Sequence, residues 1–194
     1  MNSETTVENF MTTSDVVRTR VNGFIQSFEF EPSPHYMSDG TVEITVTIPI
    51  DGVLMEALLP QNVAAQPAVT AVPPVTGMGK SVYSGLIIDA KGLGITPAIA
   101  PKILDQDGKE IYGSAFVSRE WAVKYGMAAY AKDLAKAANL KDRVGDSPGS
   151  VKAMSASGPN KTDIILSKKD SDSIRSAEEN LKFLSECRVV IVVD

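Results

Sequence analysis

The segment YSGLIIDAKGLGITPAIAPKILDQDGKEIYG, residues 83–113, decides the fold. Its apolar run at 86–88 predicts a strand, and the glycines and prolines that follow exclude a helix there. A second strand is predicted at 102–104. The tetrapeptide DQDG at 105–108 is typical of a hairpin turn, and a return strand is expected at 110–112. We expect the later residues to cover this sheet and the earlier ones to form a separate unit.

Two helices are predicted after this segment. Ser118 can cap a helix over 119–138, which is rich in alanine and apolar on several sides, so we expect it to pack against its own sheet and against another copy. A loop is expected at 143–149. The sequence SKKD at 167–170 fits a capping box and introduces a second helix. The apolar stripe of this second helix consists of Ile174, Ala177, Leu181 and Leu184.

Three more strands are predicted in the same region. The run VVIVV at 189–193 does not alternate with polar residues, which is typical of a strand buried on both faces. Shorter strands are predicted at 151–154 and 163–166.

The N-terminal residues predict a small antiparallel module. Residues 41–50 alternate between apolar and polar side chains, which indicates a strand with one buried face, and residues 16–30 predict a partner strand. A helical turn is expected at 54–59. Two strands are not stable alone in water, so we expect either that the start of this module is missing from the chain or that another subunit covers its apolar face.

The predicted fold class is therefore α+β. A small antiparallel module at 1–60 is joined by a Pro/Ala-rich linker at 61–80 to a mixed β-sheet packed with two helices at 81–194.

Composition excludes several classes of function. The net charge of −5 argues against a nucleic-acid partner, and no window reaches the roughly 20 apolar residues of a transmembrane segment. The one cysteine, Cys187, cannot form an intramolecular disulfide, and the one histidine, His35, cannot build a multi-histidine metal site. We interpret Cys187 as an inert core thiol and His35 as a loop residue.

Two short patterns resemble ligand-binding loops. The glycine turn at 89–94 resembles a phosphate-binding turn but lacks the third glycine and the helix that such a turn requires. The DQDG sequence at 105–108 suggests a calcium-binding EF-hand loop, but its glycine is the fourth residue and such a loop requires glycine at the sixth position. We interpret both as structural turns. No catalytic, cofactor-binding or metal-binding residue is predicted, and no cofactor.

Several segments resemble the lipoprotein-20-like family of Gram-negative envelope proteins, which includes relatives of flagellar basal-disk and flagellar assembly lipoproteins. These segments are VNGFI at 21–25, SDGTVEITVTIPIDG at 38–52, and parts of 85–93, 101–109 and 180–194. The resemblance implies a non-enzymatic protein, periplasmic or associated with the outer membrane, with homo-oligomers or other envelope proteins as partners. The printed sequence shows neither a signal peptide nor a lipobox cysteine.

Three hypotheses on function remain open. The leading one is a cell-envelope structural or assembly protein that associates through sheet edges and the alanine-rich helix. The alternative is a small-ligand or glycan-binding periplasmic module, with the turn at 89–94 and Trp121 near a pocket. The third is an enzyme that uses carboxylates such as Asp89 and Asp105.

Overall fold

The computed structural model describes residues 34–43, 52–59, 63 and 82–194. The chain divides into two compact units, Met1–Leu58 and Leu59–Asp194. In the first unit, β1 (His35–Tyr36) pairs antiparallel with β2 (Val42–Glu43), and α1 (Val53–Leu58) follows. The predicted strand at 16–30, the rest of the predicted strand at 41–50, and nearly all of the linker at 61–80 lie outside the described residues.

Residues 82–194 form eight strands and five helices. In chain order these are β3 (Leu86–Asp89), β4 (Ile103–Leu104), β5 (Glu110–Tyr112), α2 (Arg119–Tyr125), β6 (Ala129–Ala131), α3 (Leu134–Asn139), α4 (Lys141–Val144), β7 (Gly149–Lys152), β8 (Ser155–Ser157), β9 (Asp163–Ile165), α5 (Lys168–Arg175), α6 (Glu178–Ser185) and β10 (Val189–Val192). The predicted α+β class is confirmed.

The first sheet of this unit is parallel throughout, with strand order β6-β10-β3-β7. All four residues of β10 are buried, which confirms the prediction of a strand buried on both faces. Val190 pairs with Ile87 of β3 on one side and with Ala129 of β6 on the other. Ala137 of α3 and Val144 of α4 pack on this sheet, so these two short helices form a layer over it.

The second sheet is mixed, with strand order β5-β4-β9-β8. The predicted hairpin is confirmed, because β4 and β5 are antiparallel and the DQDG turn joins them. The predicted strand at 163–166 is confirmed as β9, which runs parallel to β4. The prediction of one mixed sheet with two helices was too simple, because the strands divide between two sheets.

The predicted helix over 119–138 is wrong. α2 ends at Tyr125 because Gly126 follows with a φ of 72°, a backbone conformation that glycine adopts without steric cost. The chain then forms β6 and begins a new helix, α3, at Leu134, capped by Asp133. The alanines of this stretch therefore lie partly in a strand. The loop expected at 143–149 is also partly wrong, since Arg143 and Val144 close α4.

The second predicted helix is correctly placed but is divided in two. The Ser167 hydroxyl accepts a hydrogen bond from the backbone N–H of Asp170 and donates one to its carboxylate, which confirms the predicted cap. The helix breaks at Ala177, whose backbone is extended, and α6 follows. The four residues of the predicted stripe, Ile174, Ala177, Leu181 and Leu184, are all buried.

Candidate functional site

A buried arginine holds the end of α2. Arg143 is 8% exposed, and its guanidinium donates to the carbonyl oxygens of Tyr125 and Gly126, at the C-terminal end of the helix. A positive charge is favourable there because the helix dipole is negative at that end. Burial lowers the pKa of Arg143 from its usual value. Nothing in the sequence distinguishes Arg143 from a surface arginine, so sequence analysis missed it.

Two more buried polar groups lie beside this arginine. The hydroxyl of Tyr112, on β5, donates to the carbonyl oxygen of Met127, the residue after Gly126. Burial raises the pKa of Tyr112 well above its usual value, and burial raises the pKa of the Cys187 thiol to about 11. The electrostatic influence of Arg143 opposes both shifts. A neutral thiol is a poor nucleophile, so the arrangement fits a structural role for Cys187.

The side chain of Asp105 stabilises the DQDG turn by hydrogen bonds to the backbone of the turn. The Asp105 side chain accepts from the backbone N–H groups of Asp107 and Lys109, and its other oxygen lies 4.0 Å from the Arg175 guanidinium. Asp105 is buried, and Gly108 has a φ of 78°. These contacts are those of a tight hairpin turn, so they support the structural interpretation of Asp105.

The glycine turn at 89–94 lies where the parallel strands end. Ligands of open parallel sheets bind outside this carboxyl edge. Here the backbone N–H of Gly92 donates to both carboxylate oxygens of Asp194, at 2.9 and 3.2 Å, and the ammonium of Lys132 contacts the backbone oxygen of Asp194. Asp89 accepts from the backbone N–H of Lys91. The turn therefore binds a carboxylate group, which in this structure is the side chain of Asp194.

An aromatic pair lies on α2. The rings of Trp121 and Tyr125 stack with centroids 5.4 Å apart and an interplanar angle of 15°, and the ammonium of Lys124 lies within 6 Å of both centroids. α2 leads into the amino end of β6, whereas the turn at 89–94 lies at the carboxyl edge. The order of these elements along β6 therefore places α2 and the turn toward opposite ends of the parallel strands.

Large apolar side chains are exposed nearby in the sequence. Tyr125 is 41% exposed, Leu134 is 44% exposed and Leu140 is 40% exposed. The other large apolar residues that are exposed in the described second unit are Val82 and Met154. Three of these five residues thus fall within 16 positions, on and after α2.

Two further tests concern only the described residues. No three His, Cys, Asp or Glu side chains among them come together as a metal site requires, and His35 is exposed on β1. None of the described helices has the length and hydrophobicity needed to cross a membrane.

Residues 82–194 thus define an α+β domain that combines a parallel sheet with a mixed sheet. A family model described as Treponema pallidum Tp0624, second domain, matches residues 85–194, more than half of the chain. The chain belongs to this family. The comparison with curated proteins finds no match.

Proposed function

We propose that this chain is a non-enzymatic assembly domain of the cell envelope, which acts by docking to a second copy of itself or to another envelope protein. The observation that carries the proposal is the concentration of exposed Tyr125, Leu134 and Leu140 in one short segment. Elsewhere in the described second unit, the large apolar side chains other than Val82 and Met154 are buried or half-buried. Clustered exposed apolar groups are typical of interaction surfaces.

The packing beneath this segment supports docking. Arg143 and Tyr112 fix the backbone carbonyls at the end of α2, so Tyr125 projects from a helix end that is held from inside. A surface that is already ordered loses less conformational entropy on binding. Tyrosine and tryptophan are also the residues most enriched at the energetic centres of interfaces.

The envelope location is proposed on the resemblance of residues 21–25 and 38–52 to lipoprotein-20-like proteins. The family that matches 85–194 is described as the second domain of a Treponema pallidum protein, so its namesake domain follows at least one other domain in that protein. A domain that works beside others suits a role in assembly. A periplasmic or outer-membrane-associated position, including one near the flagellum, is part of this proposal.

Sedimentation velocity of the full chain tests the proposal. The monomer mass is 20.7 kDa, and we expect a heavier species whose fraction rises with protein concentration. Separation of cells into soluble, periplasmic and outer-membrane fractions tests the location. A strict monomer at every concentration, recovered from the cytoplasm, contradicts both parts of the proposal.

A second candidate function is binding of a small carboxylated ligand. It is favoured by the hydrogen bonds from Gly92 to Asp194, which show that the turn at 89–94 can hold a carboxylate. A ligand that binds only the native state raises the melting temperature by mass action. A thermal-shift screen of small carboxylates against wild type and D194A tests this idea, since removing Asp194 frees the N–H of Gly92. Equal melting temperatures with and without every carboxylate, in both proteins, argue against it.

A further inference from the structure

We infer that the glycine turn at 89–94 binds a ligand with two negative charges, and that the side chain of Asp194 occupies this site until the ligand displaces it. The inference rests on the second candidate function above. It adds to that function the charge of the ligand, the lysines that bind it and an inhibitory role for Asp194. The chemistry that such ligands share is two negative charges on oxygen atoms, as in a phosphate group or a small dicarboxylate.

The backbone N–H of Gly92 is an accessible donor. It contacts the two carboxylate oxygens of Asp194 at 2.9 and 3.2 Å, and both residues are exposed. A Cβ atom built on Gly92 would meet nothing within 4 Å, so there is space beside this donor. An exposed hydrogen bond is exchanged for one to water at a small net cost. An anionic ligand can therefore replace the carboxylate of Asp194.

The segment that carries the turn is held by contacts that do not involve Asp194. The backbone N–H of Thr96 donates to the carbonyl oxygen of Lys161 at 3.0 Å. The hydroxyl of Tyr130 both donates to and accepts from the backbone of Ala98. We therefore expect the turn to keep its conformation when the carboxylate leaves. A site that is already ordered loses less conformational entropy on binding.

Two lysine ammonium groups lie beside the turn and favour a doubly charged ligand. The ammonium of Lys132 contacts the backbone oxygen of Asp194, and that of Lys161 lies 3.9 Å from the position of a Cβ built on Gly94. Hydrogen bonds between charged groups are about twice as strong as neutral ones. A ligand with two negative charges can interact with both ammonium groups, whereas the single charge of a carboxylate leaves one of them without a counterion.

The decisive experiment compares D194A with D146A by isothermal titration calorimetry at pH 8 and constant ionic strength. Both variants remove an exposed aspartate that lies near a lysine, but Asp146 pairs with Lys141 before the amino end of β7, away from the turn. The probes are inorganic phosphate, succinate and acetate. A tethered group competes with an effective concentration on the order of millimolar. We expect D194A to bind one of the two dianions at least about tenfold more tightly than wild type, and D146A to bind it like wild type.

The dianion that binds more tightly identifies the source of the two charges, a phosphate group or a dicarboxylate. Acetate is expected to bind D194A at least about tenfold more weakly than that dianion, because it offers one charge to two ammonium groups. Circular dichroism and thermal unfolding establish that both variants fold.

Lysine substitutions in the D194A protein test the proposed contacts. We expect K132M and K161M each to weaken binding of the dianion at least about fivefold, and K141M to leave it unchanged. An NMR titration of wild type needs no variant. The amide signal of Gly92 should shift on addition of the same dianion, whereas that of Gly108, another exposed glycine in a turn, should not.

The outcomes separate this inference from the function on which it rests. If succinate or acetate binds wild type and D194A equally well, the second candidate function stands, but Asp194 does not inhibit binding and the inference is wrong. If acetate binds D194A as tightly as the dianions, the turn binds carboxylates but the doubly charged ligand is wrong. If none of the three probes binds either protein, the inference and the second candidate function both fail.

Discussion

The guanidinium of Arg143 donates to the carbonyl oxygen of Gly126 at 2.8 Å, which ties α4 to the end of α2. Its other terminal nitrogen donates to the carbonyl oxygen of Tyr125. Tyr112 reaches the next carbonyl, that of Met127, from the second sheet. Three successive carbonyls, those of Tyr125, Gly126 and Met127, thus receive side-chain donors. The two sheets meet around the point where α2 stops.

The first prediction concerns removal of this arginine. R143M fills similar space but leaves the carbonyls of Tyr125 and Gly126 buried without their donors, so we expect it to lower the free energy of unfolding by about 2–4 kcal/mol. R143K can restore one of the two hydrogen bonds and should lie in between. Urea unfolding at pH 7 measures these differences. K136M, which removes an exposed cation, is the control, and we expect it to change stability by less than about 0.5 kcal/mol. An R143M protein as stable as K136M would show that the arginine does not hold the helix end.

The second prediction is a loss of stability at alkaline pH that depends on Cys187. Burial raises the pKa of its thiol to about 11 in the folded protein, against 9.0 in the unfolded chain. The folded state therefore favours the neutral thiol, and this contribution is complete below pH 9 and disappears as the pH rises from 9 through 11. A shift of two pKa units corresponds to stability of roughly 3 kcal/mol.

Comparison with C187A isolates that contribution. Tyr112 is also buried with a raised pKa, so it contributes to alkaline destabilisation in both proteins. We expect the free energy of unfolding to fall more steeply between pH 9 and 11 in wild type than in C187A, as measured by urea titrations at several pH values. Parallel curves for the two proteins would mean that the thiol is not protected from ionisation. A maleimide reagent should modify the native thiol at pH 8 only as fast as the protein unfolds.

Much of the second unit could be predicted from local sequence. The apolar run at 86–88, the DQDG turn and the terminal VVIVV run each carry a local signal, since buried strands and tight turns depend on neighbouring residues. The assignment of these strands to two separate sheets could not be predicted. That assignment depends on pairs distant in sequence, such as Val190 with Ile87.

The helix break at Gly126 shows a second limit. Ala129 and Ala131 do not favour strands, although Tyr130 between them does, and the three residues form β6 because an edge of β10 is available to them. Tyr130 is then fixed by its hydroxyl, which donates to and accepts from the backbone of Ala98. The role of Arg143 could not be predicted from the sequence either, because this role depends on α2 ending beside α4 in the folded protein.

The third prediction compares two serines that precede helices. Ser167 caps α5 through a hydrogen bond from the backbone N–H of Asp170, whereas the Ser118 side chain makes no cap hydrogen bond at α2. We expect S167A to cost about 1 kcal/mol and S118A to cost much less. S167T should retain most of the stability, since its hydroxyl can accept the same bond. Chemical denaturation of the three variants measures this order. Equal losses for S167A and S118A would mean that the cap at α5 contributes nothing.

The fourth prediction separates two reasons for glycine. At Gly85, an added Cβ would lie 2.6 Å from both the Cα and the carbonyl oxygen of Val144, which is backbone and cannot move aside easily. At Gly108 nothing lies within 4 Å, but φ is +78°. G85A should therefore lower the free energy of unfolding by at least about 2 kcal/mol through overpacking, and G108A by about 1 kcal/mol through backbone strain.

Asparagine substitutions distinguish the two causes, because asparagine tolerates positive φ but is larger than alanine. We expect G108N to be at least as stable as G108A, and G85N to be less stable than G85A, in urea unfolding. A G85N protein more stable than G85A would contradict this explanation. It would mean that the backbone conformation, and not the close contact with Val144, requires glycine at position 85.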